Sequence, residues 1–175
     1  MVFFCENSDI TKIHIMLENQ FNSIVTKSIN SQGGFAFKIP DERSTITGFH
    51  SKNPYDIYGL YNNKFICWES KNLSKPQAFN LNRLEEHQID NLIQSMKLID
   101  NCLAVFAICV DFGRNDKRVF IWKNDDLFLI KERKNKKENI LKKEFEQRSN
   151  FVKIKKGEIN LEEVINLPLE DTNVI

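Results

Sequence analysis

Three ionisable residues, Asp56, Glu69 and Lys71, stand on either side of a short turn. The dipeptide Asn62-Asn63 separates two apolar segments, and asparagine tolerates the positive φ angles that a two-residue hairpin turn requires. Counting outward from that turn places Asp56 opposite Glu69 across the hairpin. Because side chains alternate along a strand, Lys71 points to the same face as Glu69. The spacing therefore predicts two carboxylates and an ammonium group gathered on one face of a hairpin.

Two opposed carboxylates in an apolar hairpin repel each other unless a cation compensates them. Mg²⁺, or Mn²⁺ in its place, binds oxygen atoms and keeps part of its water shell. We expect the side chains of Asp56 and Glu69 and the backbone carbonyl of Ser70 to hold such an ion, which would polarise a phosphoryl oxygen and activate a water molecule. Lys71 would orient or deprotonate that water and offset charge in the transition state, and the charge of the ion would lower the pKa of Lys71.

The same residues also allow a purely structural explanation. Asp56 could be an ordinary residue at a strand end, with Glu69 and Lys71 forming a salt bridge that faces solvent. Glu-x-Lys alone is a pattern that most proteins contain by chance, and a three-residue turn would change the pairing. An aspartate opposite the glutamate within an apolar hairpin is the more specific feature, and it favours the metal site.

The hydrophobic pattern predicts the elements that position these residues. A first helix over 9–29 is capped by Ser8 or Asp9 and ends at Gly33-Gly34. The remaining predicted elements are a strand over 35–39, a loop over 41–53, the two hairpin arms, a loop over 72–82, a helix over 83–100, strands over 103–110 and 118–122, a basic helix over 136–148 and a short helix near Glu162. Both hairpin arms are apolar on both faces, which predicts that each strand is covered on both sides.

This order of elements predicts an α/β fold in which a mixed central β-sheet is flanked by helices. The 175 residues suit one domain. We expect its core at 1–130, with a basic segment and an acidic end at 131–175 packed on the same domain.

Charge is distributed unevenly along the chain. Residues 131–156 hold eleven Lys or Arg and four Glu, although the net charge of the whole chain is +1. A basic segment of this kind indicates a polyanionic partner such as nucleic acid. A solvated lysine-rich helix is the alternative.

The four cysteines, at 5, 67, 102 and 109, form no Cys-x-x-Cys pair, and the last three stand in apolar runs. Buried, reduced thiols are the expected state, which favours a reducing, cytoplasmic setting. We expect no signal peptide and no membrane span, because no apolar run reaches the required length.

The hairpin resembles that of the PD-(D/E)xK nuclease superfamily, with "PYD" at 54–56 and "ESK" at 69–71. More closely, the chain resembles the RecU-type Holliday junction resolvases over about residues 16–130, whereas the basic segment has no counterpart in that resemblance. The residues that carry it are Asp56, Gly59 and Tyr61 on one strand, Glu69 and Lys71 on the next, Phe79 and Leu81 in the following loop, and His87, Gln88 and Ile89 in the second helix.

The resemblance implies a restriction-endonuclease-like fold and a Mg²⁺-dependent endonuclease that resolves four-way junctions by paired cuts in branched double-stranded DNA. Asp56 and Glu69 would be metal ligands, and Lys71 would act on the attacking water. Gln88 would contact a metal-bound water or a phosphate, and Glu18 would join the metal shell through a water. The resemblance also implies a homodimer, which supplies two sites for two symmetric cuts.

The resemblance further implies that the loop over 72–82 is a protruding stalk that enters the open centre of a junction. Basic residues there would neutralise phosphates, and a phenylalanine would stack on an unpaired base. The predicted DNA contacts are Lys75, Phe79, Asn82 and Arg83 in this segment, extended by Arg114, Lys117 and Arg118 in a turn between two strands.

Two other functions are open at this point. A less selective nuclease of a phage, plasmid or restriction type would use the same residues. A non-catalytic DNA-binding module belongs to a different class, but a copy of that kind usually loses Asp56, Glu69 or Lys71, and all three are present.

Overall fold

The computed structural model describes residues 17–40 and 53–169. Within these ranges the elements follow in the order α1 (Glu18–Ser31), β1 (Phe35–Lys38), β2 (Ile57–Tyr61), β3 (Lys64–Leu73), β4 (Phe79–Asn80), a 3-10 helix (Leu81–Arg83), α2 (Glu86–Leu98), β5 (Cys102–Asp111), β6 (Lys117–Lys123), α3 (Asp126–Asn135), β7 (Asn139–Ile140), α4 (Lys142–Gln147), β8 (Phe151–Lys153) and α5 (Leu161–Asn166).

Six of these strands form one central sheet in the order β1-β2-β3-β5-β6-β8, and β4 and β7 form a small second sheet. Strands β3 and β5 are parallel, and the other neighbours in the central sheet are antiparallel. Helices α1 and α5 pack on one face and helices α2 and α3 on the other. The predicted α/β fold with a mixed central sheet flanked by helices is confirmed.

The hairpin turn forms as its sequence predicts. Asn62 and Asn63 have φ angles of +48° and +58°. The register runs from Tyr61 opposite Lys64 to Ile57 opposite Trp68. A two-residue turn is therefore confirmed, and the three-residue alternative is wrong.

Only one arm of the hairpin is covered on both sides. Every residue from 66 to 71 of β3 is buried, whereas burial alternates along β2. Helices α2 and α3 pack over β3 and β5, and the surface of β1 and β2 on the same side of the sheet stays exposed. That surface, which we call the β1–β2 face, consists of Phe35, Phe37, Tyr58 and Leu60. The prediction that both arms are covered on both faces is wrong for β2.

Helix α1 begins later than predicted. Leu17 is extended, with φ −82° and ψ 155°, and its N–H donates to the Gln20 side chain over 3.1 Å. This arrangement places Glu18 in the first turn of the helix. The end of the helix before Gly33, which has φ +88°, agrees with the prediction. The proposed caps at Ser8 and Asp9, the loop at 41–52 and Cys5 lie outside the described residues.

The basic segment is not the single helix that was predicted over 136–148. Helix α3 ends at Asn135, and Lys137 adopts a positive φ of 59°, which interrupts the helical path. A second, shorter helix follows, and Arg133 joins the two through a salt bridge of 2.8 Å to Glu144. The segment then adds β8 to the edge of the central sheet. Among the described helices, none is long and apolar enough to cross a membrane.

Candidate active site

Glu69 and Lys71 lie on one face of β3, in the interior of the central sheet. Glu69 is fully buried, and Lys71 is 6% exposed. Because a buried charge is costly unless it is paired and hydrogen-bonded, neither residue fits the alternative of a solvent-facing salt bridge. The explanation has to lie in what surrounds them.

Asp56 reaches this site by a route other than the predicted ladder pair. The antiparallel ladder ends at Ile57 and Trp68, one residue before Asp56. The Asp56 N–H donates to the Trp68 carbonyl over 3.1 Å, and its Oδ2 accepts the Ser70 N–H over 2.9 Å. The predicted register is observed as far as Ile57 and Trp68, but the predicted direct pair of Asp56 with Glu69 is not part of the ladder. The two carboxylates are nevertheless close, since the charge of Asp56 raises the pKa of Glu69.

The two oxygens of Glu69 have different surroundings. Its Oε1 accepts hydrogen bonds from Lys71 Nζ and from Gln88 Nε2, both over 2.6 Å. Its Oε2 is buried and has no hydrogen-bond partner among the described residues. Burial, followed by the charge of Asp56, raises the pKa of Glu69 to about 8. One oxygen is thus fixed, and the other is left for a ligand.

Lys71 is shared between two carboxylates. Its Nζ lies 2.6 Å from Glu69 Oε1 and 3.5 Å from Glu18 Oε1. Burial alone would lower the pKa of Lys71, but the negative charges of Glu69 and Glu18 outweigh it and hold that pKa above its usual value. In the protein alone Lys71 is therefore an ammonium ion. Helix α1 brings Glu18 to the site, and burial raises the pKa of this carboxyl group.

Gln88 is held in place from both ends of its amide. Its Oε1 accepts the backbone N–H of Glu85 over 2.9 Å at the start of α2, and its Nε2 donates to Glu69. This is a capping arrangement with the spacing Glu85-x-x-Gln88. The spacing of Glu85 and Gln88 is visible in the sequence and could have predicted this orientation of Gln88, which sequence reasoning missed.

The donor atoms fit a hard divalent cation that keeps most of its water. No cluster of three or more His, Cys, Asp or Glu residues arranged to bind a metal occurs among the described residues. The buried Oε2 of Glu69 and the carboxylate of Asp56 are the protein ligands available, and Mg²⁺ commonly uses one or two carboxylates plus waters. The Ser70 N–H binds Asp56, and its hydroxyl accepts from Trp68 over 3.0 Å. The Ser70 carbonyl stays a predicted ligand.

The segment over 72–82 is not a single exposed loop, because it includes the end of β3, all of β4 and the start of the 3-10 helix. Phe79 is fully buried and packs on Phe106, with ring centroids 6.2 Å apart. Phe79 pairs with Ile140 in the small second sheet, and the local sequence does not predict this pairing. The prediction that Phe79 stacks on a base is wrong. Lys75 and Asn82, by contrast, are exposed as a DNA contact requires.

The three basic residues in the turn between β5 and β6 differ in their surroundings. Arg118 lies 2.6 Å from Asp116 and stacks on Phe112 at 4.1 Å, and Lys117 lies 3.9 Å from Asp111. The charges of Lys117 and Arg118 are partly compensated within the protein, and their phosphate contacts stay predictions. Arg114 is exposed at the tip of the turn, as a phosphate contact requires.

A comparison with protein families gives a match that spans this site. The family model of recombination protein U (RecU) matches residues 13–167. The chain belongs to the RecU family. This confirms the resemblance to RecU-type Holliday junction resolvases and implies a nuclease with a restriction-endonuclease-like fold. The RecU match extends past residue 130, so the expectation that the basic segment has no counterpart in the family is wrong. A comparison with curated proteins found no matching sequence.

Proposed function

We propose that this RecU-family protein is a Mg²⁺- or Mn²⁺-dependent endonuclease that resolves four-way DNA junctions by hydrolysing one phosphodiester in each of two strands. The observation that carries the proposal is the asymmetry of Glu69, with one oxygen held by Lys71 and Gln88 and the other buried without a partner. A structural glutamate at such a position would be left with a costly unsatisfied oxygen. A cation ligand explains it.

Asp56 and Glu69 would hold the cation between them, with the Ser70 carbonyl as a further ligand. A bound divalent ion supplies a Lewis acid for a phosphoryl oxygen and lowers the pKa of a bound water. Gln88 keeps Glu69 in one orientation, so the site is preorganised. Lys71, which is an ammonium ion in the protein alone, points its N–H groups at the attacking water and offsets the negative charge that develops on phosphorus-bound oxygens. Glu18 holds Lys71 from the opposite side.

We propose that the protein acts as a homodimer and that the β1–β2 face is covered by a second copy. Phe35, Phe37 and Tyr58 form a continuous aromatic cluster with ring centroids 4.5 and 5.7 Å apart, and Leu60 adjoins it. Exposed aromatic side chains that lie together without charged residues among them are typical of the core of a subunit interface. It begins two residues from Asp56, so a dimer across it would carry two sites related by symmetry.

The DNA would reach the site along exposed polar and basic residues. Lys75, Asn82, Arg83 and Arg114 are exposed and can bind phosphates of a branched duplex. The residues at 131–169 would belong to the same domain as the core, which the pairing of β8 with β6 supports. Cys67 and Cys102 are free thiols, and this supports a reducing, cytoplasmic setting.

One assay separates this function from the alternatives. The protein is incubated with a four-way junction and with a linear duplex of the same sequence, in Mg²⁺ and in EDTA, with Asp56→Asn as the inactive control. We expect paired, symmetric nicks in the junction with Mg²⁺ only. Equal cutting of both substrates would instead indicate a less selective nuclease. The absence of any wild-type cleavage, with DNA binding retained, would indicate a non-catalytic module.

A further inference from the structure

Arg83 ends the short 3-10 helix that leads from β4 to α2, the helix that carries Gln88. Its neighbours Leu81 and Leu84 are buried, whereas Arg83 itself is exposed. The guanidinium lies over the ring of the buried Phe79, 5.0 Å from its centroid. The backbone and the side-chain stem are thus anchored by the core, and the charged end faces solvent at a fixed place.

That place is the rim of the active site. Arg83 Nη2 donates to the carbonyl of Asn72 over 3.3 Å, and Asn72 directly follows Lys71 on β3. The positive charge of Arg83 also reaches Glu18, whose pKa it lowers against the larger effect of burial. Among the described residues Arg83 makes no salt bridge, so its charge is not compensated within the part of the protein that the structure shows.

The other cations of the site are arranged differently. Lys71 is already bound to Glu69 and Glu18, whereas Lys75 is exposed and has no such anchor among the described residues. A guanidinium has a planar fork of N–H donors that matches two oxygens of one phosphate, and little entropy is lost when that fork is already held. Arg83 is therefore equipped for geometric recognition of a phosphate beside the two carboxylates.

We propose that Arg83 is a catalytic residue that binds the non-bridging oxygens of the phosphate being cleaved. This inference rests on the proposed nuclease function and adds a residue to it. In the hydrolysis, the water oxygen bonds to phosphorus, and the bond from phosphorus to the leaving sugar oxygen breaks. The water releases a proton, and the leaving oxygen takes one up. Negative charge grows on the non-bridging oxygens during this step, and Arg83 offsets it there.

The test compares Arg83→Ala, Arg83→Lys and Arg83→Met with Lys97→Met. Lys97 is a matched control because it lies on α2, away from Gln88, with its Nζ 5.4 Å from the ring centroid of Phe128. Binding of a four-way junction is measured in EDTA, and single-turnover cleavage is measured in Mg²⁺ with saturating enzyme. Because Arg83 is only one of several proposed phosphate contacts, we expect its three variants to bind the junction within about threefold of wild type, and the alanine and methionine variants to cleave about 100-fold more slowly. Arg83→Lys should recover only part of that loss, and Lys97→Met should match wild type.

A second substrate tests for direct contact. It carries a methylphosphonate, which replaces one charged oxygen by a methyl group, at the phosphate being cleaved. If Arg83 binds that oxygen, the substitution slows the wild type more than it slows Arg83→Met, because the variant has already lost the partner. Arg83→Met keeps an apolar stem on Phe79, so it remains informative where the alanine variant unfolds.

The outcomes separate this inference from the proposed function. Failure of the wild type to cleave any DNA refutes the nuclease function itself. An active wild type with an Arg83→Met rate within about threefold of it refutes the catalytic role. The same holds if binding and rate fall in parallel, or if the methylphosphonate slows both proteins equally, because Arg83 would then be an ordinary backbone contact.

Discussion

The amide nitrogen of Gln88 on α2 lies 2.6 Å from Oε1 of Glu69 on β3. The same amide accepts the Glu85 N–H through its oxygen. A helix N-terminus therefore fixes the orientation of a buried carboxylate on the neighbouring sheet.

Replacing Gln88 should weaken the use of the metal more than the fold. In Gln88→Ala, Glu69 loses one of two hydrogen bonds that orient it, and we expect cleavage to fall by about 10- to 100-fold with a higher Mg²⁺ concentration needed for half-maximal rate. Gln94→Ala, an exposed change on the same helix, is the control. An unchanged Mg²⁺ dependence in Gln88→Ala would show that Glu69 needs no such support.

The metal-free protein should lose stability as the pH rises. The pKa of Glu69 is raised from 4.5 to about 8, so between these values the folded protein keeps a proton that the unfolded chain has released. Stability is then greatest below the unfolded-state pKa and falls as the pH rises through the folded-state pKa. We expect the Tm in EDTA to fall from about pH 5 to about pH 8, and Glu69→Gln to remove most of that fall. An equal fall in the variant would contradict the assignment.

Asp56→Asn should abolish cleavage and leave the fold intact. The charge of Asp56 raises the pKa of Glu69, so its removal relieves repulsion in the absence of metal. At about pH 8 in EDTA we expect the Tm of the variant to equal or exceed that of the wild type, and we expect Mg²⁺ to stabilise only the wild type. Thermal unfolding with and without Mg²⁺ measures both effects, with the exposed Asp100→Asn as control. Severe unfolding of the variant would instead favour a structural role.

Charges placed on the β1–β2 face should separate the proposed dimer. Phe37→Glu and Leu60→Glu each put a carboxylate into an apolar surface, and a desolvated, unpaired charge opposes association. Light scattering after size exclusion should give a dimer for the wild type and a monomer for these variants. Phe128→Glu, at an exposed position on α3, serves as the comparison. A wild-type monomer at micromolar concentration would refute the interface.

Phe79 should behave as a core residue. Phe79→Ala removes a fully buried ring that contacts Phe106 and Arg83, and we expect a loss of about 3–5 kcal/mol in the free energy of unfolding. Urea denaturation measures this loss, and Leu98→Ala, at a residue that is 74% exposed, should change little. A stable Phe79→Ala protein with impaired junction binding would restore the stacking role that the structure contradicts.

The parts of the site that depend on local sequence were predictable. A positive φ at two consecutive asparagines selects one hairpin register, and the alternation of side chains along β3 places Glu69 and Lys71 on one face. The direct pair of Asp56 with Glu69 was predicted but does not form, because the ladder ends at Ile57 and the Asp56 side chain accepts the Ser70 N–H instead. Strand alternation carries no information about where a ladder stops.

The errors that remain concern contacts distant in sequence. Phe79 lies on β4, which pairs with β7, about 60 residues later in the chain. Nothing in the sequence near Phe79 indicates that partner. The lysine pattern after 131 is compatible with a helix, but pairing with β6 draws residues 151–153 into the sheet. Tertiary pairing decided both cases against local propensity.

The position of β3 between β2 and β5 has a consequence for synthesis of the chain. Asp56, Glu69 and Gln88 are all synthesised before β5, yet β5 is the strand that pairs with β3 along its second edge. A ribosome-bound fragment that stops before Cys102 holds these three residues without the neighbour that helps enclose them. The proposed metal site would therefore be completed only after β5 has been synthesised, and we expect a fragment that ends before Cys102 to have no nuclease activity.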